Sequence, residues 1–366
     1  MLQPDRLAFG IIPWYSLIIV FGIAIGIYLC GREEKRLGLP KDTAIDSALW
    51  AIPFGIIGAR LYYVAFAPEQ FLKDPIRILY VWEGGVAIYG ALIGGAIGVW
   101  INARRKKISF LTLLDMFAPA VILGQAIGRW GNFFNKEAYG YAVTNTAWQF
   151  FPFAVFIDNA QGGSWHLATF FYESALNFIS FILLMANRKR MKRSGDVFLW
   201  YILLYGAGRA IIEGLRMDSL MWLDGTIRVS QWLSVIAMAA AFMLFVFRLM
   251  KHAKLTASFC IVYLLHLLYL LYISRSSVVP MYVWPSLNIA IVILCAAIMS
   301  RQFVSKESKS WVSLLPLWIL SVATAVFLVY WNGMESMLPA QTMFIALISF
   351  SFPAGALAIY SHTIHN

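Results

Sequence analysis

Arg129, Asn132, Asn135 and Glu137 fall within nine residues of one another in GRWGNFFNKEAYG, 128–140, at the end of an otherwise apolar run. A second group, Arg209, Glu213 and Arg216, closes another apolar run in YGAGRAIIEGLR. Its spacings of four and three residues put plus, minus and plus on one helical face. Guanidinium forks match the oxygens of a phosphate, and neighbouring glutamates would hold them in place and keep the site from trapping any passing anion. One arginine near a membrane interface needs no more than snorkelling to explain it. Several costly polar groups gathered at the ends of apolar runs are paired or used, which makes an intramembrane binding site the working reading.

The elements that must position these groups are membrane helices. Of the 366 residues, 61% are hydrophobic and 13% charged, a composition of polytopic membrane proteins rather than soluble domains. The net charge of +11 sits in short Lys/Arg clusters between apolar runs, a pattern that orients a membrane protein and argues against a nucleic-acid partner. The three cysteines, Cys30, Cys260 and Cys295, have no CxxC spacing, so neither a zinc site nor a disulfide framework is indicated. The first apolar run leads into GREEKR without a cleavage pattern and reads as a retained span.

Eleven spans are expected, near 13–30, 47–66, 86–102, 113–130, 168–186, 197–212, 229–248, 256–273, 286–300, 311–331 and 341–360. The connections after the odd-numbered spans carry the basic clusters, which places them in the cytoplasm, the N-terminus outside and the C-terminus inside. With that orientation Tyr15, Arg60, Tyr89, Arg129, Glu173, Arg209 and Arg216 all fall toward the outer leaflet, which implies a substrate with an anionic head group. Residues 141–167 are too mixed to span and are expected on the outer surface. Gly84 and Gly85 read as a turn into a helix, and Gly90, Gly94 and Gly98 as a thin face for close helix packing.

On these residues the chain resembles the prolipoprotein diacylglyceryl transferase family. GRWGNFFNKEAYG is similar to the family's G-R-x-G-N-F-hydrophobic-N-x-E signature, DMFAPAVILGQAIGRWGN to its approach, and RMDSLMWLDGTIRVSQWLS to its closing stretch. The similarity covers about residues 10–250. The resemblance implies transfer of the diacylglyceryl group of phosphatidylglycerol to the thiol of the lipobox cysteine in a prolipoprotein signal peptide, with no metal or organic cofactor. It also implies an all-α core of seven helices, here followed by about four extra spans in 251–366 whose role stays open. Carried over by motif, Tyr89, Arg129 and Arg209 are the catalytic candidates. Tyr15, Arg60, Asn132, Asn135, Glu137, Glu173, Glu213 and Arg216 are the substrate-binding ones. Glu137 and Glu173 fit either chemistry or the tethering of an arginine.

Two features depart from the family pattern. Tyr89 stands where many members have histidine, and a phenol is a poor base at neutral pH, so the identity of the base is open. His166, in WHLATFFYE, resembles part of a family element that lacks its proline here, and reads as structural or interfacial. The competing class is a transporter or lipid-binding protein that uses the same arginines without chemistry. That class would place charge near the bilayer midplane in paired repeats with interrupted helices, whereas these groups gather toward one face.

Overall fold

The computed structural model describes residues 6–72, 74–81, 84–158, 162–191, 193–217, 221–222 and 227–249. Seven α-helices occupy the first seven apolar runs: α1 Trp14–Arg36, α2 Thr43–Phe66, α3 Ile88–Lys106, α4 Phe110–Asn135, α5 Thr169–Asn187, α6 Asp196–Leu215 and α7 Val229–Leu249. Helices are the required form, because an open strand edge in lipid would leave amides and carbonyls unsatisfied.

The expectation of eleven spanning helices, a seven-helix core plus about four more, is corrected. Among the described residues five stretches are long and apolar enough to cross a bilayer, in α1, α2, α4, α5 and α6. Among the described residues, Val229–Leu244 of α7 is a shorter apolar stretch. In α3 the apolar stretch is cut short by Asn102 and the basic end Arg104, Arg105 and Lys106. The four spans expected after 250 lie outside the described residues.

The described residues also form 3-10 turns at Pro68–Gln70, Pro75–Leu79 and Thr146–Trp148 and three two-stranded antiparallel hairpins too short for a periodic signal. The hairpins are β1 Leu7–Ala8 with β2 Ile12–Pro13, β3 Ala154–Ile157 with β4 Ser164–Leu167, and β5 Met221–Trp222 with β6 Ile227–Arg228.

The chain divides into two compact units. The first comprises Arg6–Gly131 and Phe178–Phe198. Its tightest packing joins α2 to α3: a Cβ at Gly90, Gly94 or Gly98 would run into the backbone at Gly58, Phe54 or Trp50, so the glycine face is what lets these helices touch. Elsewhere in this unit buried carboxylates hold helix ends. The Glu34 carboxylate accepts from the N–H of Asp42 at 3.0 Å and of Ala44 at 2.7 Å, where α2 begins. Asp115 accepts from the N–H of Gly195 at 2.6 Å and of Phe198 at 2.9 Å, satisfying orphan donors at the start of α6. Glu33 lies between Arg36 and Arg188, each at 2.6 Å.

The second unit comprises, among the described residues, 132–158, 162–177, 199–217, 221–222 and 227–249. Its described core includes Val155, Ile157, Ala168 and Phe170, with Phe133 stacked on Phe170 at 5.1 Å between ring centroids.

Candidate active site

The spacing of the polar signature is the spacing of a helix end. As α4 closes, the N–H of Lys136 donates to Phe133 O at 3.2 Å and the N–H of Glu137 donates to Asn132 O at 3.0 Å. These are the paired bonds of a Schellman motif, with Lys136 in its left-handed position at φ +54°. Asn132 and Glu137 are then the two residues whose side chains such a motif brings together, usually as an apolar contact. Here the contact is polar: Asn132 Nδ2 donates to Glu137 Oε1 at 2.9 Å, and Asn135 Nδ2 donates to the same oxygen at 3.2 Å. One carboxylate oxygen thus gathers both asparagines and fixes the chain's exit from α4.

A second left-handed residue, Ala138 at φ +57°, turns the chain again. Its carbonyl accepts from Thr169 Oγ1 at 2.6 Å. Gly140 donates to Leu167 O at 2.9 Å, Tyr141 to Leu215 O at 3.2 Å and Met217 to Tyr139 O at 3.4 Å, so the signature is laced to the end of β4 and to the end of α6. Gly140 has no room for a side chain, since a Cβ would lie 2.8 Å from Leu167 Cβ, Leu215 O and Thr169 Cγ2. Lys136, Glu137, Ala138, Tyr139 and Met217 line a cavity of about 330 Å³.

The α6 triplet forms the network its spacing anticipates, and α5 adds to it. Arg209 Nη2 lies 2.7 Å from Glu213 Oε2, and Arg209 Nη1 donates to Glu173 Oε2 at 3.2 Å. Arg216 Nη1 is 3.8 Å from the same Glu213 oxygen. The two glutamate side chains are 3% and 2% exposed, and the arginines 14% and 12%, so both ion pairs of Arg209 are largely desolvated. Two carboxylates therefore hold one guanidinium at a set angle, an arrangement suited to presenting the rest of its charge to an anion.

Arg228 belongs to this constellation and its sequence context did not mark it. Its Nη1 donates to Glu213 O at 2.6 Å and to Arg216 O at 2.8 Å, and its Nη2 to Tyr141 Oη at 2.6 Å. A cation thereby satisfies carbonyls that the end of α6 leaves without intrahelical partners. The only signal available was an arginine just ahead of the last described apolar run; nothing local points to acceptors 12, 15 and 87 residues away. His166 is buried, with Nδ1 2.9 Å from Gly140 O, Nε2 2.8 Å from Ser164 Oγ and the Tyr139 ring 4.7 Å away, which makes it a support of the signature's glycine.

The other candidates lie in the first unit. The Tyr15 ring covers Gly131 so closely that a Cβ there would meet it at 2.5 Å. Arg129 is half-buried on α4, and Tyr89 is the second residue of α3, its ring 6.3 Å from that of Tyr62. Arg60 is buried and turned onto backbone: Nε donates to Ile78 O at 2.9 Å, Nη1 to Gly84 O at 2.6 Å and Gly85 O at 2.9 Å, and Nη2 to Arg77 O. The structure thus joins Asn132 and Asn135 to Glu137, and Arg209 to Glu173 and Glu213, with Arg216 beside Glu213, while Tyr15, Arg60, Tyr89 and Arg129 belong to the first unit.

A family model described as prolipoprotein diacylglyceryl transferase matches residues 6–247. The phosphatidylglycerol--prolipoprotein diacylglyceryl transferase of Enterococcus faecalis is 48% identical over 245 residues, covering 66% of this chain and 88% of that protein. The protein of the same name from Halalkalibacterium halodurans is 42% identical over 258 residues, covering 69% and 89%. That of Lactococcus lactis is 45% identical over 244 residues, covering 66% and 91%.

Proposed function

The chain belongs to the prolipoprotein diacylglyceryl transferase family, and from that premise we propose how its residues move the diacylglyceryl group of phosphatidylglycerol onto the lipobox cysteine of a prolipoprotein. The cysteine sulfur forms a bond to the glyceryl carbon that bears the phosphate. The C–O bond at that carbon breaks, and glycerol phosphate departs with the electron pair. The thiol loses its proton, because thiolate is the effective nucleophile, and in the overall balance that proton leaves with glycerol phosphate.

Charge accumulates on the leaving phosphate, so the chain's task is to supply preorganised positive charge there. The observation that carries the reading is Arg209 held between two buried carboxylates, Glu173 and Glu213, at the closing end of α6. Its guanidinium cannot turn away to solvent without leaving both buried. Arg209 and Arg129 bind the phosphate and stabilise its departure, with Arg216 as the supporting cation. Glu173 and Glu213 hold Arg209, and Glu137 holds Asn132 and Asn135 for the head group. Tyr15 contacts the lipid beside Gly131, and Tyr89 orients the thiol.

The protein is a multi-pass membrane protein. In this reading its N-terminus is outside, its C-terminus cytoplasmic and its site toward the outer leaflet. The support is the charge pattern: Lys35 and Arg36 end α1, Arg104, Arg105 and Lys106 end α3, and Arg188, Lys189, Arg190, Lys192 and Arg193 follow α5. The site residues on α4 and α6 lie at the opposite ends of their helices from these clusters. Residues 1–250 form the catalytic core and 251–366 an addition to it.

The test is a transfer assay on the membrane-embedded chain, with phosphatidylglycerol and a peptide bearing a lipobox cysteine, read by mass as a thioether adduct. Failure to form adduct where an established family member succeeds would sink the reading. Arg129→Gln is expected to lower turnover by roughly 10²–10³, the cost of removing one preorganised group that stabilises developing charge. Near-wild-type turnover would remove Arg129 from the catalytic list.

A further inference from the structure

Arg60 was expected to bind substrate; we propose instead that it is a positioning residue, clamping the segment that delivers Tyr89 to the start of α3. A guanidinium has five N–H donors in a rigid fork. Four of those of Arg60 reach the carbonyls of Arg77, Ile78, Gly84 and Gly85, and its charge lies 5.0 Å from the centre of the Phe71 ring. Little of the fork is left for a phosphate, and its exposure of 6% keeps it away from solvent.

The clamped segment is built to receive it. Gly84 and Gly85 have φ of +87° and +65°, which turn two successive carbonyls toward the same Nη1. Only glycine adopts such a pair without strain. Space imposes the same choice at Gly85, where a Cβ would lie 2.5 Å from Arg60 Nη1 and 2.9 Å from Tyr63 Cε1. Two residues later the N–H of Ala87 donates to Ala59 O at 3.0 Å, tying the segment to α2 beside Arg60 itself. The glycine after Tyr89 is pressed on α2 as well, since a Cβ at Gly90 would collide with Gly58 O. Tyr89 therefore follows two points tied to α2, the Gly84–Gly85 turn held by Arg60 and Ala87 held by Ala59 O, and precedes a third at Gly90.

The inference rests on the assignment of Tyr89 to the site, and the experiment keeps the two separable. Arg60→Gln, Gly85→Ala, Tyr89→Phe and the Arg60→Gln/Tyr89→Phe double variant are compared in the transfer assay, and hydrogen exchange of the amides in 84–89 is followed in each. The clamp predicts that Arg60→Gln and Gly85→Ala each lower kcat by up to about a hundredfold, the scale of a misplacement of roughly 1 Å. KM for phosphatidylglycerol should stay within about twofold, because no direct contact with the lipid is lost. Exchange in 84–89 should rise in both, and the double variant should be no slower than the slower single one. Arg60→Gln that raises KM about tenfold or more at unchanged kcat, with exchange as in wild type, would identify a lipid contact and overturn the clamp. Gly85→Ala leaves the arginine in place, so it carries the test if Arg60→Gln does not fold. If Tyr89→Phe is fully active, Tyr89 leaves the site and exchange alone decides: faster exchange in Gly85→Ala and Arg60→Gln supports the clamp, and unchanged exchange overturns it.

Discussion

Glu33 in the first unit and Glu213 in the second are both buried carboxylates flanked by two arginines. Glu33 has Arg36 three residues on and Arg188 from beyond α5, both at 2.6 Å. Glu213 has Arg209 four residues back at 2.7 Å and Arg216 three residues on at 3.8 Å. Written as sequence, Glu213 has both arginines within four residues and Glu33 only Arg36, yet the Glu33 pairs are the shorter. What differs is the surroundings. Around Glu33 the neighbouring carboxylate, Glu34, is spent on backbone N–H groups at the start of α2. Around Glu213 a second carboxylate shares Arg209, Arg228 locks the backbone on which Glu213 sits, and the signature, bent through two left-handed residues, is laced to the same helix end. A buried Arg–Glu–Arg triad is thus a packing device by itself. It becomes part of a site when its geometry is fixed from several sides and strained backbone adjoins it.

The largest effect expected should separate the triads. Arg209→Gln should lower turnover per folded molecule by roughly 10²–10³. Glu33→Gln weakens two charge-assisted contacts of half-buried arginines and should cost about 1.5–3 kcal/mol of stability, leaving the turnover of the folded fraction within about twofold of wild type. Thermal unfolding in membranes alongside the transfer assay reads both quantities. An equal loss of turnover in the two variants would collapse the comparison.

Arg228→Gln comes next. It removes charge-assisted bonds to Glu213 O and Arg216 O and leaves the Tyr141 hydroxyl without that donor. The loss expected is about 1.5–3 kcal/mol in stability, with turnover falling about tenfold as the last turn of α6 loosens. Tyr141→Phe in the same background should add little. Independent, additive losses would mean that the two do not act through one contact.

Glu137→Gln should do less, and it sharpens a question the signature leaves open. The side-chain oxygen that accepts from Asn132 and Asn135 survives in glutamine, so a scaffolding Glu137 predicts turnover within about threefold of wild type. A loss of about a hundredfold or more would show that the negative charge itself takes part in the chemistry.

Much of this was legible in the residues. The seven described helices follow the apolar runs, because backbone in lipid must satisfy its own hydrogen bonds and the run lengths mark where it does. The Arg209, Glu213 and Arg216 network follows from helical spacing alone. The number of spans did not follow, since an apolar run such as that of α3 can fall short of crossing. Nor did the roles of Arg60 and Arg228. Their partners are mostly carbonyls, which every residue carries, and which carbonyl an arginine finds depends on turns such as Gly84–Gly85 that only the folded chain defines. Read by type, Arg60 is a substrate-binding candidate and Arg209 a catalytic one; read by partner, one faces backbone and the other carboxylates.

The smallest effect concerns the strain that marks the second triad's surroundings. Lys136 occupies the left-handed position at the end of α4, where a side chain costs about 1–2 kcal/mol relative to glycine. Glycine also gains freedom in the unfolded chain, which returns about 0.5–1 kcal/mol of that difference. Lys136→Gly is therefore expected to raise stability by about 0.5–1 kcal/mol, a small upward shift in unfolding temperature. The lysine also lines the cavity beside Glu137, Tyr139 and Met217. If that charge helps gather the head group, KM should rise about two- to fivefold while kcat holds, and added salt should erase the difference between variant and wild type. A variant that is more stable with KM unchanged would assign the left-handed turn to the shape of the signature alone. A variant that is less stable would mean that Lys136 makes contacts worth more than its strained backbone, and the strain would no longer distinguish the Glu213 triad from its counterpart at Glu33.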